Sequence, residues 1–305
     1  MPCPYNGAFE TGTRLETVRT IAWMKERARD ARAEGRIVGL VPTMGALHAG
    51  HVALLERARA ECSPVYASIF VNPKQFGPNE DLAKYPRMFE ADCEKLAAAG
   101  VEAVFAPEPA EMYPAGFGTH VSVDGISERL EGKSRPGHFR GVTTVVMKLL
   151  QVVQPHRAYF GRKDAQQARI VQQMARDMSL DSEIVVCPIV READGLALSS
   201  RNAYLDANER KAAMVLHRAL EAVKRELGAG ERDALQLQIA MRRVLEAEPL
   251  ARVDYGEIVD AEAFEPVVRV NRACYALLAV YFGKTRLIDN CRIEVDDRGE
   301  TRISV

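Results

Sequence analysis

A chain of 305 residues is long for one domain core and fits one large or two moderate domains, two being slightly favoured. With 47% hydrophobic and 27% charged residues it has the makeup of a folded globular protein, which excludes a disordered, collagen-like or coiled-coil chain. Lys+Arg total 41 against 42 for Asp+Glu, and a net charge of -1 offers no basic surplus for a phosphate backbone, which argues against nucleic acid as the main partner.

The longest apolar stretch, residues 274–282, is far too short to span a bilayer, and no charged-then-apolar signal segment opens the chain. A cytoplasmic protein with no membrane partner is expected. Cysteines at positions 3, 62, 93, 187, 274 and 291 include no C-x-x-C pair and read as buried, reduced thiols. Residues 1–14 carry Pro, Gly and Asn without periodicity and are expected to be an N-terminal extension.

In chain order, a helix is expected over 15–32, with Trp23 on its core-facing apolar stripe. A β-branched run at 37–41 reads as a strand, followed by a Pro/Gly turn and a helix with Leu54, Leu55, Ala58 and Cys62 on its apolar face. The alternation repeats as strand 65–71, helix 92–99 stopped at Gly100, strand 101–105, helix 142–153 closed before Pro155, strand 157–160, helix 165–178 and strand 184–190. Strands alternating with helices predict an α/β fold with a doubly wound parallel sheet. The texture changes at 191–202, a polar, Gly-containing loop. Beyond it come a charged amphipathic helix over 207–227, Gly228-Ala229-Gly230, a second helix, and strand-like runs at 253–259 and 275–280. The expected division is a parallel-sheet domain over 15–190 and a smaller α+β domain over 191–305.

The first segment with candidate chemistry runs Val41-Pro42-Thr43-Met44-Gly45-Ala46-Leu47-His48-Ala49-Gly50-His51, where a strand ends and a helix begins. Helix N-terminal amides attract anions there, and His48 and His51, three apart, can place two imidazole donors on one phosphate chain. Alone, H-x-x-H also fits a metal pair or a plain helix start; the strand and P-T-M-G turn before it favour phosphate. In the second segment, Tyr159 to Gln167, Lys163 offers a point charge, Asp164 a helix cap or ribose acceptor, and Gln167 an amide one turn on; an exposed, capped helix start fits the same residues. In the third, Ser199, Ser200 and Arg201 can clamp a triphosphate while charge grows on departing pyrophosphate, or form a polar interdomain linker. Asn72 and Gln75 suit the hydroxyl and carboxylate groups of a small polar substrate, and the basic loop 132–141 reads as a solvated turn or an anion site. A strongly cationic phosphate site inside a chain of neutral balance is the expectation.

Together, P-T-M-G-A-L-H-A-G-H, F-V-N-P-K-Q-F-G, Y-P-R, R-P-G-H-F-R-G-V, Y-F-G-R-K-D-A-Q-Q and D-G-L-A-L-S-S-R-N run in the order characteristic of the pantothenate synthetase (pantoate–β-alanine ligase) family, and the chain resembles that family over about residues 15–305. The resemblance implies a Rossmann-like nucleotidyltransferase domain of the HIGH type at 15–190, binding ATP and pantoate, a C-terminal lid at 191–305, and a homodimer. His48-Ala49-Gly50-His51 resembles the H-x-G-H signature, and Ser199-Ser200-Arg201 stands where the second phosphate-binding signature falls. By resemblance Met44, Gly45, Ala46, Leu47, His48, Ala49, Gly50, His51, Gly161, Arg162, Lys163, Asp164, Val190, Leu198, Ser199, Ser200 and Arg201 form the ATP site. His51 is the implied proton donor, with His48, Lys163 and Arg201 as catalytic partners, and Gln75 and Gln167 hold pantoate. The implied chemistry is attack of the pantoate carboxylate on the α-phosphorus of ATP, with Mg²⁺, to give pantoyl adenylate and pyrophosphate; the β-alanine amine then releases AMP and pantothenate. Asp92 is the candidate Mg²⁺ contact, since the neighbouring Ala91 has no ligand atom. Another adenylyltransferase of the same superfamily, or a non-catalytic nucleotide-binding protein, are the competing readings.

Overall fold

The structure is a computed structural model that describes residues 15–78, 80–296 and 298–304; the expected extension 1–14, with Cys3, lies outside the described residues. Six parallel strands form the first sheet: β1 (Glu16–Val18), β2 (Gly39–Thr43), β3 (Val65–Ile69), β4 (Ala103–Phe105), β5 (Arg157–Gly161) and β6 (Glu183–Cys187). Their spatial order is β1-β4-β3-β2-β5-β6. Alternation along the strands divides the core into two layers. Leu40, Tyr66, Phe105, Ala158 and Phe160 pack to one side with helices α1 (Ile21–Ala33), α6 (His138–Val153) and α7 (Ala165–Asp177). Val41, Ala67, Val104 and Tyr159 pack to the other with α2 (Ala49–Glu61) and α3 (Phe89–Ala98). Two single-turn helices, α4 (Pro109–Met112) and α5 (Glu131–Ser134), lie in the connection from β4 to α6.

A second sheet is antiparallel, in the order β10-β9-β8-β7, from β7 (Ala251–Asp260), β8 (Cys274–Phe282), β9 (Thr285–Val295) and β10 (Thr301–Ser304). It shares its own apolar core with α8 (Ala207–Ala212), α9 (Val215–Gly228) and α10 (Ala234–Glu246). The expected α/β sheet plus smaller α+β unit is what the chain forms.

Several local expectations need correction. The helix expected over 15–32 gives its first residues to β1, whose β-branched Thr17 and Val18 pair with Val104 and Phe105. The helix starts only after Thr20, whose hydroxyl caps it by accepting the Trp23 amide at 3.3 Å. Trp23 is 49% exposed, because the buried stripe of α1 is Met24, Ala28 and Ala31 and one residue's 100° rotation carries position 23 outward. The expected single helix over 207–227 is broken into α8 and α9, and strands β9 and β10 were not foreseen. Cys62, Cys187, Cys274 and Cys291 are buried free thiols, whereas Cys93 is only half-buried. Among the described residues, no helix is long and apolar enough to cross a membrane.

Candidate active site

The strand order reverses between β2 and β5, so the chain segments leaving their carboxyl ends diverge and open a crevice. The principal cavity lies there. It is lined by Met44, His48, Gly50 and His51 after β2, by Gly161, Lys163, Asp164 and Gln167 after β5, and by Val190, Leu198, Ser199, Ser200 and Arg201 beyond β6. Asn72 and Gln75, beyond β3, complete that part of the wall. Three segments distant in sequence thus meet at one sheet edge because each follows a strand of the same parallel sheet.

The turn into α2 is held from behind. Asp92, fully buried on α3, accepts the amides of Ala46 and Leu47 with separate carboxylate oxygens at 2.8 Å each, and Lys95 donates to the Leu47 carbonyl at 2.6 Å. Gly45, Ala46, Leu47 and Ala49 form this turn and the helix start without lining the cavity. Asp92 therefore anchors the loop in place of contacting a metal: it does not line the cavity, and both its oxygens face protein amides. Among the described residues, no three His, Cys, Asp or Glu side chains converge as a metal site. Asp164 is the one carboxylate among the described lining side chains, so the residues present do not build a protein-held Mg²⁺ site.

His48 caps α2, and the two histidines form a reciprocal box: His48 Nδ1 accepts the Gly50 amide at 3.1 Å, and the His48 amide donates to His51 Nδ1 at 3.3 Å. The ring of His48 lies so close to Gly50 that a Cβ there would sit 2.9 Å from it and push the ring from its capping position. Burial, then the charge of Lys163, lowers the His48 pKa to about 4; burial, then His48 itself, lowers that of His51 to about 3. Both rings are neutral at pH 7. Since Nδ1 is an acceptor in each, the single ring proton resides on Nε2, leaving two Nε2–H donors.

The other cations are largely balanced. Arg201 forms a two-pronged pair with Asp81, both contacts 3.1 Å, and Arg135 pairs with Glu80 at 2.8 and 2.6 Å. With neutral histidines as well, the expected strongly cationic site is instead an array of oriented donors around Lys163, with two arginines already matched to acids of the 77–88 loop. Arg162 does not line the cavity; burial lowers its pKa, and Tyr275, Arg292 and Arg191 are among the groups acting on it.

Asn72 lines the cavity but uses its amide internally. It donates to Gln75 Oε1 at 3.0 Å and the Gly141 carbonyl at 3.1 Å, and its Oδ1 accepts the Tyr113 hydroxyl at 2.7 Å. Gln75 Nε2 approaches Met44 Sδ at 3.0 Å, so these residues fasten β3's exit to the first loop. Sequence reasoning left the 132–141 loop open between turn and site; the structure brings Arg135 and His138 to the cavity wall. His138 donates from Nδ1 to the Gln75 carbonyl at 2.8 Å and accepts Arg135 Nη1 at 3.1 Å. Thr43, Phe70, Phe76 and Tyr85, which stand inside the quoted motifs without an assigned role, also line the cavity, and the Tyr85 hydroxyl sits 3.4 Å from that of Ser200. The signal for them is their place in the P-T-M-G, F-V-N-P-K-Q-F-G and Y-P-R motifs, which marks the segments but assigns these side chains no chemistry.

The model of the family described as pantoate-beta-alanine ligase matches residues 16–292. A pantothenate synthetase of Koribacter versatilis is 54% identical, over 90% of this chain and 95% of its own, and one of Roseiflexus castenholzii is 56% identical, over 91% and 100%. The crystal structure of a Thermus thermophilus pantothenate synthetase has a TM-score of 0.86 at 47% identity, covering 90% of this chain and 98% of that one. A Francisella tularensis pantoate-beta-alanine ligase, solved with β,γ-ATP and β-alanine, has a TM-score of 0.74 at 34% identity, covering 90% and 97%. On the sheet's switch point, the three converging segments and these likenesses together, the chain belongs to the pantoate-beta-alanine ligase family, the ATP-dependent enzymes that join pantoate to β-alanine.

Proposed function

We propose that the cavity carries out the ligation in two steps through pantoyl adenylate. The observation that carries the reading is the convergence of His48/His51, Lys163 and Ser199–Arg201 on one cavity at the switch point. In the first step a pantoate carboxylate oxygen bonds to the α-phosphorus of ATP while the bond from that phosphorus to the bridging oxygen breaks and pyrophosphate departs. In the second, the uncharged amine of β-alanine bonds to the acyl carbon, the bond to AMP breaks, and the amine's extra proton passes to solvent. The Nε2–H groups of His48 and His51 donate to phosphate oxygens as charge builds, and Lys163, Ser199, Ser200 and Arg201 meet the pyrophosphate. The substrate carboxylate is the nucleophile, so none is needed from the protein. Gln75 and Gln167 hold pantoate, with Asn72 fixing Gln75. Mg²⁺ enters as part of the nucleotide substrate.

Residues 191–305 act in this reading as a lid hinged at 191–202, keeping water from the adenylate. A homodimer and a cytoplasmic location belong to the same reading, on the strength of the family resemblance; sedimentation and cell fractionation test them. The decisive experiment omits β-alanine and follows exchange of labelled pyrophosphate into ATP. Exchange that needs pantoate alone supports the adenylate, and exchange that also requires β-alanine overturns it.

A further inference from the structure

Midway along β9, two adjacent polar residues, Asp289 and Asn290, are each only 1% exposed. Buried polar groups in a strand are costly unless partnered, and these partners lie outside their own sheet. Asp289 takes Arg191 in a two-pronged pair, Nη1 to Oδ2 at 2.7 Å and Nη2 to Oδ1 at 3.0 Å. Arg191 Nη1 also donates to the Gly195 carbonyl at 2.9 Å, at the foot of the loop that carries Ser199–Arg201. Asn290 Nδ2 donates to the carbonyls of Arg162 and Lys163, 2.9 Å to each. Two facing carbonyls determine which end of that amide is nitrogen. The Asn290 backbone amide donates to Asp289 Oδ1 at 2.7 Å, which fixes the Asp289 carboxylate against the strand backbone at Asn290.

Both phosphate-facing loops therefore hang from one dipeptide of the C-terminal sheet. We infer that Asp289 and Asn290 are positioning residues that set Lys163 and Arg201 relative to one another, so that the phosphate half of the site is assembled only when β9 is docked against it. The inference rests on the proposed placement of Lys163 and Arg201 at the triphosphate. Neither β9 residue lines the principal cavity; both line a small adjoining recess with Lys163, Asp164 and Gln167. Their influence must pass through the loops. Removing the Asn290 amide strands two loop carbonyls, and a displacement of Lys163 by about 1 Å is enough to cost about a hundredfold in rate.

The test uses the full-length Asn290→Ser and Asp289→Asn variants, the latter keeping side-chain volume should the former fail to fold. Two rates are read: pantoate-dependent pyrophosphate exchange, and AMP release from supplied pantoyl adenylate with β-alanine. We expect exchange to fall about tenfold to a hundredfold while AMP release changes by less than about twofold. Combining Asn290→Ser with Lys163→Ala should add less than about twofold to the loss from Lys163→Ala alone. Equal losses in both steps, as general destabilisation would give, overturn the inference, as does a full multiplicative loss in the double variant. Undiminished exchange in Lys163→Ala alone would instead remove the reading of the cavity itself, and the inference with it.

Discussion

The rings of His48 and His51 lie 4.2 Å apart, centroid to centroid, and the His48 amide donates to His51 Nδ1. The pair does two jobs with one geometry: each Nδ1 helps cap α2, and each Nε2–H is thereby committed as a donor. Neutral, pre-oriented donors stabilise developing phosphate charge without reorganising during the reaction.

From this follows the first prediction. His51→Ala should lower pantoate-dependent pyrophosphate exchange by about 10²–10³. His51→Gln, whose amide nitrogen reaches the place of Nε2, should recover part of that loss, and His51→Asn, which reaches only the Nδ1 position, should not. Equal rates in the Gln and Asn variants would show that the Nε2–H donor is not what matters.

The histidines also predict a pH dependence of stability. His138 joins the pair: burial, then Arg135, lowers its pKa to about 4 from an ordinary 6.5. Protonating it would set a second N–H against the Arg135 guanidinium. The unfolded chain therefore binds more protons than the folded one below pH 6.5. The stability these rings contribute is fully present above that value and is lost as pH falls through 6.5 towards 4, and towards 3 for His51. For His138 the loss is at most about 3 kcal/mol. Urea midpoints measured from pH 7 to pH 5 should fall more steeply for the wild type than for His138→Gln; parallel curves would count against the assignment.

Gly141 links packing to substrate. A Cβ at this position of α6 would stand 2.2 Å from the Lys74 carbonyl oxygen, in the turn that carries Asn72 and Gln75. Gly141→Ala must displace that turn, at a cost of about 1–3 kcal/mol. It should raise KM for pantoate several-fold more than KM for ATP, measured by steady-state AMP release. A change confined to ATP would detach the turn from pantoate.

Asp92 separates anchoring from metal binding. Asp92→Asn turns one acceptor into a donor facing a backbone amide, with an expected cost of about 1–3 kcal/mol and a slower exchange reaction. The Mg²⁺ concentration for half-maximal rate should stay within about twofold of wild type. A tenfold shift in that concentration would restore Asp92 as a metal contact.

The amino-acid sequence by itself determined what local chemistry can determine. Alternating apolar runs produced the parallel sheet, and H-A-G-H, G-R-K-D and S-S-R-N marked their loops, because phosphate binding draws on neighbouring amides and side chains within a few residues. Element ends were less legible: β1 is three residues long, too short for any period to show, and Trp23 follows from which face of α1 meets the sheet. Tertiary structure alone decided which polar groups are spent on the protein. Asp92 lies 46 residues from Ala46 yet holds its amide, Asn72 turns its amide to Gly141, and Asp81 and Glu80 match Arg201 and Arg135. Asn290 reaches Lys163 across 127 residues of chain. No spacing rule encodes such pairs, since a carboxylate or amide becomes ligand, anchor or surface only when folding fixes which donors lie within about 3 Å of it.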